Sequence, residues 1–209
     1  MVIEEHPLQP FLPTGARVLF LGSFPPPREK WSMEFFYPNF INDFWRVWGL
    51  LCFGDKAHFE AGKAFCQADI EAFARESGMA FYDTASKVCR LKGNASDEFL
   101  QIVEPTDIGA LLARIPDCHT LVTTGGKASE TLQQLLSVAS GNASLRTPPI
   151  GSYSEVNAFG RLLRWYRMPS TSRAYPLALE KKADYYRALL KAGLRVNEST
   201  RRKVEVIKS

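Results

Sequence analysis

The side chains best placed for chemistry sit where apolar runs end. "ARVLFLG" (16–22) runs into Ser23, "MAFYD" closes on Asp83, and "HTLVTT" closes on Thr124. A carboxylate accepts hydrogen bonds only, so Asp83 suits reading an N–H on a ligand edge or activating a water. A second set follows the first run. After Gly22 come Ser23, Phe24 and prolines 25–27, then the aromatic-rich "MEFFYPNFINDFW" with Tyr37, Asn39 and Asn42. Three prolines fix φ and stiffen the turn, which lets the backbone amides at Ser23 and Phe24 be held toward a ligand. A third set is "MPSTSRAYP" (168–176). Its Ser170, Thr171 and Ser172 hydroxyls and the Arg173 guanidinium, placed before a helix, suit phosphate contacts, although Ser/Thr at that place is also a common cap.

Other chemistries fail on spacing. In "TTGGKASE", Ala128 follows Lys127 and the earlier glycine of a phosphate loop is missing, so tight strand-to-helix packing is the expected role. No G-x-S-x-G occurs, and "GSFPPP" puts prolines where a dinucleotide fingerprint needs glycines. Cys52, Cys66, Cys89 and Cys118 form no CxxC pair, and His6, His58 and His119 have no ligand spacing. Reduced, mostly buried thiols are expected, with the histidines at the surface or satisfied in the core. Neither a metal, an iron-sulfur cluster nor a cofactor is expected.

The elements that must carry these residues alternate. A buried strand at 16–22 is followed by a helix from Asn42 or Asp43 to a stop at Gly54. An amphipathic stretch from Asp69 to Glu76 leads through Gly78 into the strand ending at Asp83. Beyond the polar loop "LKGNASDEF", Pro105 and Thr106 announce a helix, "HTLVTTG" is a strand and "GKASETLQQLLSVA" a helix. A Gly/Pro/Ser-rich loop (138–152) precedes a fourth core strand, "RLLRWYRM", and a last helix spans roughly Leu177 to Leu190. This βαβαβα order predicts an α/β fold: a three-layer α/β/α sandwich with a central, mainly parallel four-stranded sheet. Its ligand crevice lies outside the carboxyl ends of the strands, where Ser23, Asp83 and Thr124 fall.

With 209 residues and no composition break, one domain over 1–195 is expected, ending in a basic, flexible tail at 196–209. Hydrophobic residues at 45% and charged residues at 23% are ordinary globular values, and no run is long enough to cross a bilayer. The acidic start "MVIEEHPLQP" lacks the apolar segment of a signal peptide, so a cytoplasmic monomer away from membranes is expected. Charge is lopsided: residues 161–209 hold 13 Lys/Arg against 4 Asp/Glu, and residues 1–160 hold 13 against 18. That asymmetry points to a polyanion partner, most simply nucleic acid, with affinity that falls steeply with salt.

Taken together, these segments resemble the uracil-DNA glycosylase superfamily. Gly22, Pro25, Tyr37, Asn42, Phe44 and Trp45 match its first motif, a Gly-x-x-Pro turn continuing to an aromatic, an Asn and Phe-Trp. Pro169, Ser170 and Ser172 match its second, a Pro-Ser loop that grips the DNA backbone. "GMAFYDTASKVCR" and "LVTTGGKA" stand where the family has its base-recognition strand and third βα turn, so the resemblance covers most of 16–192. Much of the superfamily holds its catalytic water with an Asp or Asn in the first turn; here that position is Phe24, beside Ser23. Branches that also lack this residue, notably the hypoxanthine-type enzymes, rely on an Asn at the position of Asn42.

The resemblance implies a DNA glycosylase of base excision repair, which flips a deaminated base out of DNA and hydrolyses its N-glycosidic bond. Its partner would be DNA containing such a base. Asn42 and Asp83 would be catalytic, Asn42 holding the water and Asp83 reading the Watson-Crick edge, with water activation as its second option. Ser23, Phe24, Tyr37, Asn39 and Asp83 would line the base pocket, with Tyr37 as stacking platform. Ser170, Thr171, Ser172 and Arg173 would contact DNA, Arg173 or Tyr175 wedging into the gap. A bland role stays open for each: core packing for Tyr37, helix capping for Asn42, turn capping for Asp83 and Asn39. No lysine stands out for a Schiff base, so water is the expected nucleophile. The alternative from another class is a non-catalytic binder of damaged or single-stranded DNA, prompted by Phe24. A small-molecule nucleoside enzyme would leave the C-terminal charge unexplained.

Overall fold

A computed structural model of the chain describes residues 2–91 and 99–196. In chain order its first elements are β1 (Ile3–Glu5), β2 (Val18–Gly22), α1 (Phe44–Phe53), β3 (Glu60–Ala61), β4 (Ala64–Phe65), α2 (Gln67–Ser77) and β5 (Met79–Asp83). There follow β6 (Ala85–Arg90), β7 (Leu100–Pro105), α3 (Ile108–Arg114), β8 (Thr120–Thr124), α4 (Gly126–Ser140), β9 (Tyr153–Ala158), β10 (Arg161–Met168) and α5 (Leu179–Tyr186).

The main sheet runs β5-β2-β8-β10-β9, and every pairing in it is parallel except β10 with β9. All five residues of β2 are buried, as a central strand covered on both faces requires. Val18 and Phe20 join Trp45 and Trp48 of α1, Ile70 and Phe73 of α2 and Tyr186 of α5. Leu19 and Leu21 face the other way, onto Leu111 and Leu112 of α3 and Leu132 and Leu136 of α4. The period-2 alternation of one strand thus sorts the helices into two layers, and the expected three-layer α/β/α sandwich is observed.

The sheet differs from expectation in having five strands. β9 pairs antiparallel with β10 in the register Ala158↔Arg161, leaving Phe159 and Gly160 as a two-residue hairpin loop. Both take positive φ, 52° and 75°, the mirror-image turn that matches strand twist. Phe159 is an unusual residue for its first position, which hides the hairpin signal. A second sheet, β1-β6-β7, also went unpredicted. It forms because β6 leaves the end of β5 after only Thr84, and β1 pairs with it from the N-terminus. Pro105, expected to open a helix, instead closes edge strand β7; the cap of α3 is Asp107, whose side chain accepts from the Ala110 N–H at 2.9 Å. Most of the polar loop after Arg90 (92–98) and nearly all of the C-terminal tail (197–209) lie outside the described residues.

Candidate functional site

The carboxyl ends of β2, β5 and β8 open on a cavity of about 640 Å³. The ten residues expected to be catalytic, to line the base pocket or to contact DNA all line it: Ser23, Phe24, Tyr37, Asn39, Asn42, Asp83, Ser170, Thr171, Ser172 and Arg173, and so do Thr124 and Tyr175. Parallel pairing puts Gly22 opposite Asp83, so the first turn and the acidic strand end meet side by side. Gly22 is required by this approach, because a Cβ there would collide with Asp83 Oδ1.

Tyr37 is held tightly. Its backbone has φ +54°, a strained value for a bulky residue. Its ring stacks on Phe44 with centroids 3.7 Å apart and planes 3° from parallel. The hydroxyl is 2.9 Å from Thr124 Oγ1, and burial, with a smaller contribution from the Asp83 charge, pushes the phenol far above its ordinary range despite that bond. With one face taken by Phe44, only the other face and the ring edge remain to meet a ligand.

The asparagines do local work as well. Asn42 Oδ1 accepts from the Phe44 N–H at 2.8 Å, a turn that leads into α1 just before its N-cap residue Asp43, while its amide NH2 makes no hydrogen bond among the described residues. Asn39 Oδ1 accepts from the Ile41 N–H at 3.1 Å, shaping the turn before it. Neither bond removes these residues from the cavity wall.

Asp43, buried beside Asn42, ties the two motif loops together. Its amide donates to the Thr171 carbonyl at 2.9 Å, and its carboxylate accepts from Arg173 Nε at 3.1 Å and Lys182 Nζ at 2.9 Å. Lys182, fully buried on α5, also donates to the Ser172 carbonyl at 2.9 Å. Thr171 is only 2% exposed, so it forms wall, whereas Arg173 keeps half of its side chain in solvent. The Ser170 hydroxyl accepts from the Ser172 N–H and packs by Gly125 at the start of α4.

One cavity-side residue was missed from the sequence. His6 Nε2 lies 2.9 Å from Asp83 Oδ2, with the imidazole side chain 2% exposed. No local signal could have found it, since 77 residues separate the partners and the strand joining them, β1, is only three residues long. Phe24 is explained by the same neighbour: its ring sits edge-on to His6 at 5.2 Å, with the Arg90 guanidinium 5.6 Å away over its face. Arg90 Nη2 also donates to the Pro25 carbonyl at 2.6 Å, anchoring the proline turn.

Much of the C-terminal cationic excess is spent internally. Arg161 donates to the carbonyls of Leu112 in the last turn of α3 and of Ile115, Pro116 and Cys118 after it, and Arg167 to that of Pro148. One lysine not singled out from the sequence, the exposed Lys30, lines the cavity, carried there by a turn at Arg28–Lys30. Among the described residues, no group of three or more His, Cys, Asp or Glu converges as metal ligands would, and no helix is long and apolar enough to cross a membrane.

No protein-family model matches the chain, and no curated protein matches it in sequence. Among solved structures, it is similar to the solution NMR structure of a "putative Uracil DNA glycosylase" from Methanosarcina acetivorans. That likeness covers 91% of this chain and 98% of the other at a TM-score of 0.61 and 19% sequence identity. At this identity it is a likeness of fold.

Proposed function

We propose that this protein is a monofunctional DNA glycosylase that flips a deaminated base, of uracil or hypoxanthine type, out of DNA and hydrolyses its N-glycosidic bond. The observation that carries the reading is convergence: an aromatic, an asparagine amide, an accept-only carboxylate and a Ser/Thr/Arg loop share one cavity at the strand ends. A flipped base needs that set, a ring to stack on, an edge reader and donors for the phosphates beside it. The fold shared with the Methanosarcina protein supports the same conclusion.

In this reading Asp83 accepts from the base edge, as the N3–H of uracil or the N1–H of hypoxanthine would require. Asn42, its oxygen committed to the Phe44 N–H, orients water and the departing base through its amide NH2. The polar residue usual in the first turn is replaced by Phe24, which favours the hypoxanthine-type branch. Ser170, Ser172 and Arg173 grip the strand. The decisive experiment incubates the protein with labelled oligonucleotides carrying uracil, hypoxanthine or xanthine, single-stranded and paired, and reveals abasic sites with alkali. Base release is expected, with Asn42→Ala and Asp83→Ala each slowing it by about 10²–10⁴-fold; wild-type rates from both variants would reject these roles. Borohydride should trap no covalent adduct, and a trapped adduct lost in Lys30→Ala would overturn the water mechanism.

A further inference from the structure

The mechanism above leaves the imidazole of His6 unused. His6 lies just after β1 and outside the segments that carry the family resemblance, yet it is bonded to Asp83, a residue of the cavity wall. Its Nε2 faces Asp83 Oδ2, and because a carboxylate only accepts, that nitrogen carries a proton. Its Nδ1 is 3.2 Å from the Leu8 N–H and 2.9 Å from the Leu8 carbonyl. The neutral ring accepts from the first and the protonated ring donates to the second, so the same backbone grips it in either state. Phe24 meets the ring edge-on at 5.2 Å and Tyr82 lies 4.4 Å away, leaving the imidazole no room to turn.

This grip gives the two oxygens of Asp83 different positions. Oδ2 is tied to His6, while Oδ1 lies against the bare Cα of Gly22. The Tyr37 hydroxyl is 3.9 Å from the point where a Gly22 Cβ would stand. An unrestrained aspartate rotates about its terminal torsion and offers either oxygen in a broad range of planes. Here Oδ2 is tied to His6 and Oδ1 is kept on the Gly22 side of the carboxylate.

We infer that His6 is a positioning residue for base recognition: by donating to Asp83 Oδ2 it locks the carboxylate plane, so that Oδ1 is a single, fixed acceptor selecting bases with an N–H at the facing edge. This rests on the base-pocket reading above. It also gives Phe24 a role, that of a buttress holding the imidazole in place.

The test compares wild type with His6→Leu, His6→Gln, Asp83→Ala and the His6→Leu/Asp83→Ala double variant, on oligonucleotides bearing uracil, hypoxanthine or xanthine. Excision rates, affinities by fluorescence anisotropy and thermal melts are recorded together. His6→Leu is expected to lower kcat/KM for the preferred base by about 10²-fold and to flatten the order of preference among bases. His6→Gln, whose amide N–H can reach the same oxygen, should restore most of both. In the Asp83→Ala background, His6→Leu should change nothing further. Unchanged base preference in His6→Leu, or a Gln variant no better than Leu at equal melting temperature, overturns the inference. Should the wild type bind these oligonucleotides without releasing any base, the glycosylase reading fails while the affinity order and its loss in His6→Leu still support His6. A wild type with no preference among bases in either readout overturns the inference itself.

Discussion

A methyl group at position 22 would run into Asp83 Oδ1, and the carboxylate cannot swing away without leaving His6. Gly22→Ala therefore sets two outcomes against each other, a displaced aspartate or a displaced strand end. Forcing extra atoms into a packed site costs about 1–3 kcal/mol, and the misplaced carboxylate should lower base excision by about 10²-fold. Urea unfolding and excision kinetics on the same variant would measure both effects, and wild-type behaviour in both would show that Asp83 is not confined there. Phe24 belongs to the same small assembly. A phenyl ring cannot orient water; in the glycosylase reading proposed above the polar work of the first turn passes to Asn42 and Asp83, while the Phe24 ring packs edge-on against His6.

Between elements, the main strut is the contact of α1 with α5 through Asp43 and Lys182, which also holds the 170–173 loop in position. Stranding a buried charge costs about 3–5 kcal/mol, and removing Lys182 leaves Asp43 with the half-exposed Arg173 as its partner, so the loss falls below that range. Lys182→Ala should show that loss as a lower urea midpoint and should loosen DNA binding, because the Ser172 carbonyl loses its donor; an unchanged midpoint would mean the pair is not buried in solution. Sequence patterning made the layered fold legible because β2 is a continuous apolar run, β8 and β10 are short β-branched or aromatic stretches, and the helices have clear periods. The Phe159–Gly160 hairpin, the small β1-β6-β7 sheet and the Asp43–Lys182 strut were not legible. Each depends on partners far apart in sequence or on a turn whose first residue is atypical. The cavity wall was readable as residue types at strand ends, whereas His6 was not, since nothing near Pro7 signals a partner at Asp83.

Over the whole molecule, two phenols make stability sensitive to alkali. Tyr37 and Tyr186 are both driven up from the ordinary value of 10.0, chiefly by burial, and for Tyr186 the nearby Tyr37 adds to the effect. The Tyr186 hydroxyl donates to the Pro169 carbonyl at 3.0 Å, so its proton also holds the base of the 170–173 loop. Below the unfolded value both states keep these protons and the stabilisation is fully present. As pH rises beyond it, the unfolded chain releases protons that the folded chain retains, and stability falls. The slope approaches about 1.4 kcal/mol per pH unit for each such tyrosine. Urea midpoints followed from neutral pH to above 10 should therefore drop steeply at the alkaline end, and Tyr37→Phe should remove its own share of that slope, Tyr82 and Tyr166 being pushed up by burial as well, while losing the bond to Thr124. Phenolate absorbance gives the independent check. If all seven tyrosines of the chain ionised together near 10 while the protein stayed folded, neither phenol would be sealed in the core.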